Sequence, residues 1–455
     1  KLHNGSRPEE ITQAAAQGHL TSQYRLGMAW LDGKGVEADL TKALAYLQQA
    51  ARGGHVEAQY QMASLYLDGR GVPNDLASAA EWLHQVAASG DARALFRLAE
   101  LYRTGQGREL DLLKAAELYR KAADQDYVPA QLALARQYEV GHGVTRSFRE
   151  ALNWYQKAAA QQDAQGLFQV AHYACLGRGM TQDYRLAVQS LRKAAEQGYA
   201  PAYLALGELY EQGRGVQQDY PQALSFYRRV AGEGVAAAQT RLGYLYLQGL
   251  GVPQDAKQAL TWFSKAAEQD DAEGACQLAQ LLLDGQGCSR DESRALQLLR
   301  RAADQKHAEA QCRLAGLYET GKVVELDYQQ AALWYRRAVE QGHAKAQYQL
   351  ALMFHEGRGA PQNCHQAAAL YSRAAEQGHC LAQFALAKQY QQGEGVPLDR
   401  QQAYVWSSLA VAGGCGEMAA KALRDAMALE LNPVQLMEAQ REASLFFEQA
   451  QRQLS

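Results

Sequence analysis

The sequence is short of several things at once. Cysteine is scarce: Cys175, Cys276, Cys288, Cys312, Cys364, Cys380 and Cys415, an odd number with no C-x-x-C and no repeating spacing. That excludes a disulfide framework and a zinc-finger pattern, and most of the seven are expected to be small buried apolar residues. An excess of one charge is also missing. Lysine and arginine number 46 against 49 aspartate and glutamate, a net charge of −3. A nucleic-acid partner, which needs a basic footprint, is therefore not expected. No apolar run reaches the ~18 residues of a membrane span. H-E-x-x-H and G-x-S-x-G do not occur, so no catalytic residue, cofactor site or metal site is assigned. Methionine does not open the chain. It begins at Lys1, which predicts a processed leader or a cloning boundary ahead of it, and Asn4-Gly5-Ser6 fits a glycosylation sequon.

Glycine, by contrast, is abundant and ordered. Leu31-Asp32-Gly33-Lys34-Gly35 looks alone like a phosphate-cradling loop. The Gly-x-Gly pair returns at Gly69/Gly71, Gly105/Gly107, Gly141/Gly143 and onward to Gly393/Gly395. The period is 36 residues over eleven copies, broken only where Val323 replaces the second glycine after Gly321. A nucleotide loop is not needed eleven times, and no Gly-Lys-Ser/Thr follows. Other registers keep the beat. A helix-capping residue runs Asp39, Asp75, Asp111, Ser147, Asp183, Asp219, Asp255, Asp291, Asp327, Asn363, Asp399. Alanine stands four residues later in every copy, from Ala43 to Ala403. An apolar residue (Leu26 to Leu386) precedes a Gly or Ala, and three residues on the position is aromatic in nine copies, from Trp30 to Tyr390, with Ala174 and Leu282 the exceptions.

These spacings are helical. They predict a first helix over 20–32, ended by Gly33 in a left-handed conformation, and a second over 40–52, capped by Asp39. The small residues are expected to let paired helices approach closely. The expected fold is all-α: a right-handed alpha-alpha superhelical solenoid of eleven 36-residue helix-turn-helix repeats, a curved rod on the order of 100 Å long. Residues 1–19 form a half-repeat cap, 20–413 the repeats, and 414–455 capping helices, with Asn432-Pro433 starting the last one.

The pattern resembles the Sel-one-like repeat family, related to tetratricopeptide repeats. The segments 236–270 and 308–343 carry the resemblance most clearly, and it runs from about Gly18 to Gly414. It implies a non-catalytic adaptor that holds protein or peptide partners, in some relatives within exopolysaccharide-export assemblies. Periplasmic or exported relatives are common and many carry a disulfide joining the two helices of a repeat, a pairing that this chain is expected to lack.

Histidine recurs after the second helix at His19, His55, His307, His343 and His379. Equivalents lie roughly 10 Å apart by helix packing, too far to share a metal, so a polar turn residue is expected. The aromatic row could be a sugar-stacking platform, but its register shares the leucine face and core is expected. The variable first-helix positions are the better candidates. Glu100, Arg103, Arg136, Glu139, His172, Glu208, Glu211 and Tyr244 are assigned as partner-binding, set against a plain solvated helix face. A protein or peptide scaffold is the leading reading, and a scaffold in polysaccharide export the alternative. A carboxylate hydrolase is rejected because Glu139 and Glu211 fall roughly 20 Å apart, beyond the ~5–9.5 Å of paired glycosidase carboxylates.

Overall fold

The computed structural model describes residues 8–34, 36–414 and 417–454. The sequon at Asn4, Gly35 and Cys415 lie outside the described residues. Within them the chain is all-α, with no strand, and it is built of tandem helix pairs. First helices run from Leu20–Asp32 to Cys380–Gln392 and second helices from Leu40–Arg52 to Arg400–Ala412. The bounds expected for the first repeat are the bounds observed.

A recurring set of backbone bonds builds the loop between the paired helices of a repeat. Gly33 takes φ 67°, and the Lys34 N–H donates to the Ala29 carbonyl at 3.0 Å, which satisfies the end of the first helix. The Asp39 carboxylate accepts from the Lys42 N–H at 3.0 Å and caps the second helix. Its own N–H donates to the Trp30 carbonyl, also at 3.0 Å. This bond recurs at Asp183 to Ala174 and at Asp291 to Leu282. The acceptor is a carbonyl, so the loop closes whatever side chain occupies the aromatic register.

The two loop glycines differ in what requires them. The first has a left-handed φ and, at Gly105, ordinary space around it: a Cβ there would come no nearer than 3.4 Å to Leu110. The second lies against the preceding repeat. A Cβ on Gly107, Gly143 or Gly215 would fall 2.3, 1.9 or 2.4 Å from the carbonyl oxygen of Leu76, Leu112 or Tyr184, each the first residue of a second helix. The glycine pair is thus both hinge and stacking contact. Val323, in its place at the ninth repeat, does not take a positive φ.

Packing follows the small-residue rows. All eleven alanines of the Ala43 register are fully buried. A Cβ on Gly27 would sit 2.7 Å from Leu47, and one on Gly243 2.5 Å from Phe263, so in these repeats the large second-helix residue rests on the small first-helix residue. Buried glutamines add a polar clasp. Gln59 Nε2 donates to the Ala51 carbonyl of the preceding repeat and to Gln85 Oε1 of its own, and Gln311 repeats the first bond to Ala303. After each second helix the chain turns through a left-handed residue. It is glycine in most repeats, but Asp126, Gln162, Asp270 or Lys306 in four.

Contacts divide the chain into two units, residues 1–226 and 227–455. In the first, Pro8–Ala16 packs on Leu20–Asp32. In the second, Glu417–Glu430 and Pro433–Leu454 pack on Arg400–Ala412, and Asn432 caps the last helix by accepting from the Val434 and Gln435 N–H groups, as its sequence predicts. Among the described residues no helix is long and apolar enough to cross a membrane.

Cysteine departs from expectation. Cys276 and Cys312 are buried, but Cys175, Cys288 and Cys364 are only half-buried. Cys380 is disulfide-bonded, which corrects the expectation of a chain without disulfides. Cys380 stands in neither a C-x-x-C motif nor a regular cysteine spacing, so the sequence does not mark it.

Candidate functional site

The candidate residues of the first unit sit on first helices, where the repeat pattern constrains them least. Two grooves form there. One, about 670 Å³, is lined by Phe96, Glu100, Arg103, Tyr119, Leu132, Arg136, Asp163 and Gln165 among others. The other, about 440 Å³, is lined by Phe168, His172, Cys175, Tyr184, Glu208, Leu209 and Arg214 among others. The structure therefore brings Glu100, Arg103 and Arg136 together, and separately His172 with Glu208. Glu139 and Glu211 line neither groove. Tyr244 belongs to the second unit, where its phenol donates to Glu273.

The acids are not loose surface charges. Glu100 pairs with Arg103 at 2.6 Å and accepts from the phenol of fully buried Tyr119. Burial alone would raise the Glu100 carboxyl, but the Arg103 guanidinium and the Tyr119 phenol hold it below the ordinary carboxylate range. Glu139 accepts from Tyr155 at 2.9 Å and Tyr173 at 2.7 Å, both phenols buried. Burial, and then the neighbouring carboxylate, pushes both tyrosines far above their usual range. Glu139 is thus a structural anchor between repeats. The sequence marked the acids but not the tyrosines beneath them. The signal was present: the register of Leu47 becomes Tyr119 and Tyr155 where an acid stands 19 or 16 residues earlier.

Arg136 and His172 are both exposed. Burial, then the Arg178 charge, lowers the His172 pKa and favours the neutral ring. The first groove consequently offers an exposed guanidinium beside a half-buried Glu–Arg pair over an apolar floor. That arrangement suits a carboxylate on an otherwise apolar or polar-uncharged segment.

Apart from buried Tyr138, the aromatic row is half-buried rather than fully core. Arginines of the preceding second helix cap its phenols: Arg228 donates to Tyr246 at 2.6 Å and Arg300 to Tyr318 at 3.2 Å. The histidine row has a defined role that sequence reasoning left as a plain turn. His55, His307, His343 and His379 are N-caps whose Nδ1 accepts from the backbone N–H three residues on, each at 3.2 Å. This leaves Nε2 to carry the proton, and in His307 and His343 it bonds Glu273 and Glu309 at 2.8 and 3.0 Å. Histidine is not among the usual capping residues, which is why the register went unread. These histidines do not gather a metal. Among the described residues, ligand atoms of His355, Cys364 and Glu394, drawn from three different registers, lie within 4.8 Å of one another.

Helix pairs at a constant period, with capping acids and close-packing glycines in register, define a helical-repeat protein of the kind that serves as an interaction scaffold. The Sel1 repeat model matches eleven times, continuously from residues 20–55 to 380–415 apart from residue 235, and the chain belongs to the Sel1-repeat family. The chain is similar over 99% of its length, and 96% of the other's, to c5321, a protective antigen present in uropathogenic Escherichia coli strains displaying an SLR fold, at 30% identity and a TM-score of 0.74. It is also similar to a Sel1 repeat protein from Oxalobacter formigenes at 31% identity and a TM-score of 0.56, over 69% of this chain and 91% of that one. No curated protein matches the sequence.

Proposed function

We propose that the chain is a scaffold whose first-helix face over 92–212 binds an extended peptide segment of a protein partner, with Arg136 engaging a carboxylate on it. The observation that carries this reading is the pair of grooves lined largely by first-helix residues, among them positions that vary between repeats. Sel1 repeats are a fold of interaction scaffolds, which supports a protein partner in general. The polysaccharide-export alternative has no groove feature of its own and is not part of the proposal. The disulfide at Cys380 and the description of the E. coli relative as a protective antigen both support a setting outside the reducing cytosol.

The test is capture of partners by the full chain and by Arg136→Glu, followed by a peptide array of whatever wild type retains. Arg136 is exposed, so its reversal leaves the core intact. Loss of captured partners, and of binding to acidic array peptides, is expected. Capture profiles of Arg136→Glu and Arg103→Glu that are both unchanged from wild type would remove this face from consideration.

A further inference from the structure

We propose that the junction between the tenth and eleventh repeats is a zinc site made by His355, Cys364 and Glu394. Three places come together at several junctions within each unit: the last turn of a first helix, the first residue of the second helix, and the residue between the loop glycines of the following repeat. At three other junctions this meeting point is occupied by the protein's own arginine. Arg178 lies over Phe148 at 5.4 Å, and Arg214 over Tyr184 at 5.6 Å. Arg358 lies over Tyr328 at 5.7 Å and pairs with Glu319 at 3.1 Å.

At the next junction all three places change together. The arginine becomes Glu394, the aromatic becomes Cys364, and the position of Glu319 becomes His355. A built-in cation on an aromatic face is replaced by nitrogen, sulfur and oxygen donors converging within 4.8 Å. That spread is a small side-chain rotation from the roughly 4 Å between ligands of a tetrahedral zinc ion.

A second, independent observation points to a ligand. Nδ1 of His355 is buried and has no hydrogen-bond partner, a state that costs free energy unless something binds it. The donors also stand on firm supports. His355 is in the last turn of Ala344–Glu356, and Cys364 opens Cys364–Glu376. The loop bearing Glu394 is clamped: a Cβ on Gly395 would lie 2.1 Å from the Cys364 carbonyl oxygen, and His365 Nδ1 is 2.8 Å from the Gly395 carbonyl oxygen. A thiolate, an imidazole and one carboxylate select zinc over magnesium or calcium, and three protein ligands leave the fourth position to water or to a donor from a partner. Bound zinc would tie both helices of one repeat to the loop of the next.

The experiment uses the full chain with zinc and cobalt salts. Zinc is measured by equilibrium dialysis with elemental analysis, and cobalt by absorption. The expected result is about one zinc per chain and a thiolate-to-cobalt charge-transfer band. Cys364→Ser and Glu394→Gln should each weaken binding by at least roughly 10-fold, and Cys288→Ser, which alters another half-buried free thiol, should not. Zinc should also protect Cys364, and not Cys175, from alkylation mapped by mass spectrometry. Glu394 is exposed, so Glu394→Gln keeps the fold, and an unchanged melting temperature without metal verifies this. Stoichiometry and affinity unaltered in both Cys364→Ser and Glu394→Gln, or a cobalt spectrum without the thiolate band, would overturn the proposal.

Discussion

The loop between Ala92–Thr104 and Leu112–Ala123 separates two roles of glycine within three residues. Gly105 and Gly107 have φ of 69° and 71°, so alanine at either meets nearly the same left-handed penalty, roughly 1–2 kcal/mol. Their surroundings differ. The new Cβ at position 105 would be 3.4 Å from Leu110, an ordinary contact, whereas at 107 it would be 2.3 Å from the Leu76 oxygen and 2.4 Å from the Leu76 carbonyl carbon. Those are backbone atoms at the start of Leu76–Ala88, so relief requires one repeat to back away from the next. Overpacking of this kind adds about 1–3 kcal/mol. Gly105→Ala should therefore cost ~1–2 kcal/mol and Gly107→Ala ~2–5 kcal/mol. Gly90→Ala, with φ 86° and nothing within 4 Å, is the control for conformation alone. Urea titration gives the totals. Hydrogen exchange locates the loss, which for Gly107→Ala should be concentrated in Leu76–Ala88 and Leu112–Ala123. Equal costs for Gly105→Ala and Gly107→Ala, within about 0.5 kcal/mol, would refute the stacking role.

Glycine in place of Gln162 or Lys306, both at positive φ where other repeats carry glycine with open space, should raise stability by about 1 kcal/mol in urea titration. Tyr155→Phe leaves Glu139 with one phenol donor of two and should cost ~1–3 kcal/mol by the same assay. Glu273 and Glu309 are held down to about 2. For Glu273 the His307 bond leads; for Glu309 burial opposes the shift and the His343 and Arg313 bonds overcome it. Their contribution is complete above the ordinary value of 4.5 and is lost as pH falls toward about 2, because the unfolded chain takes up protons first. A Glu273→Gln, Glu309→Gln variant should lose less stability than wild type across that window. His55 is pushed below 6.5, mainly by burial, so its neutral cap loses stability as pH falls below 6.5, and His55→Asn should flatten that part of the stability–pH profile.

The helices were legible because their determinants are local and repeated: a capping acid, a left-handed glycine and an alanine face, each decided within one repeat. The second glycine was legible as a requirement but not as a contact, since Leu76 and Leu112 are brought to it only by stacking. The charged candidates were found by their variation, yet variation did not separate exposed Arg136 from Glu139, which two buried phenols hold from different repeats. The histidine caps were missed because the residue type is unusual there. His355, Cys364 and Glu394 were missed because a scan within one register at a time cannot see three registers converge.

The bond from each capping residue's N–H to a carbonyl nine positions earlier has a consequence for how such a chain can change. It closes each loop within a repeat without consulting any side chain, and in most repeats the glycine behind it meets first a backbone carbonyl. A whole repeat gained or lost in register would leave the backbone bonding of each loop the same, while a single-residue insertion in a loop would break the closure at once. The array can therefore lengthen or shorten in whole units, and a recognition surface on the first helices can be recomposed by shuffling repeats rather than by redesigning any of them.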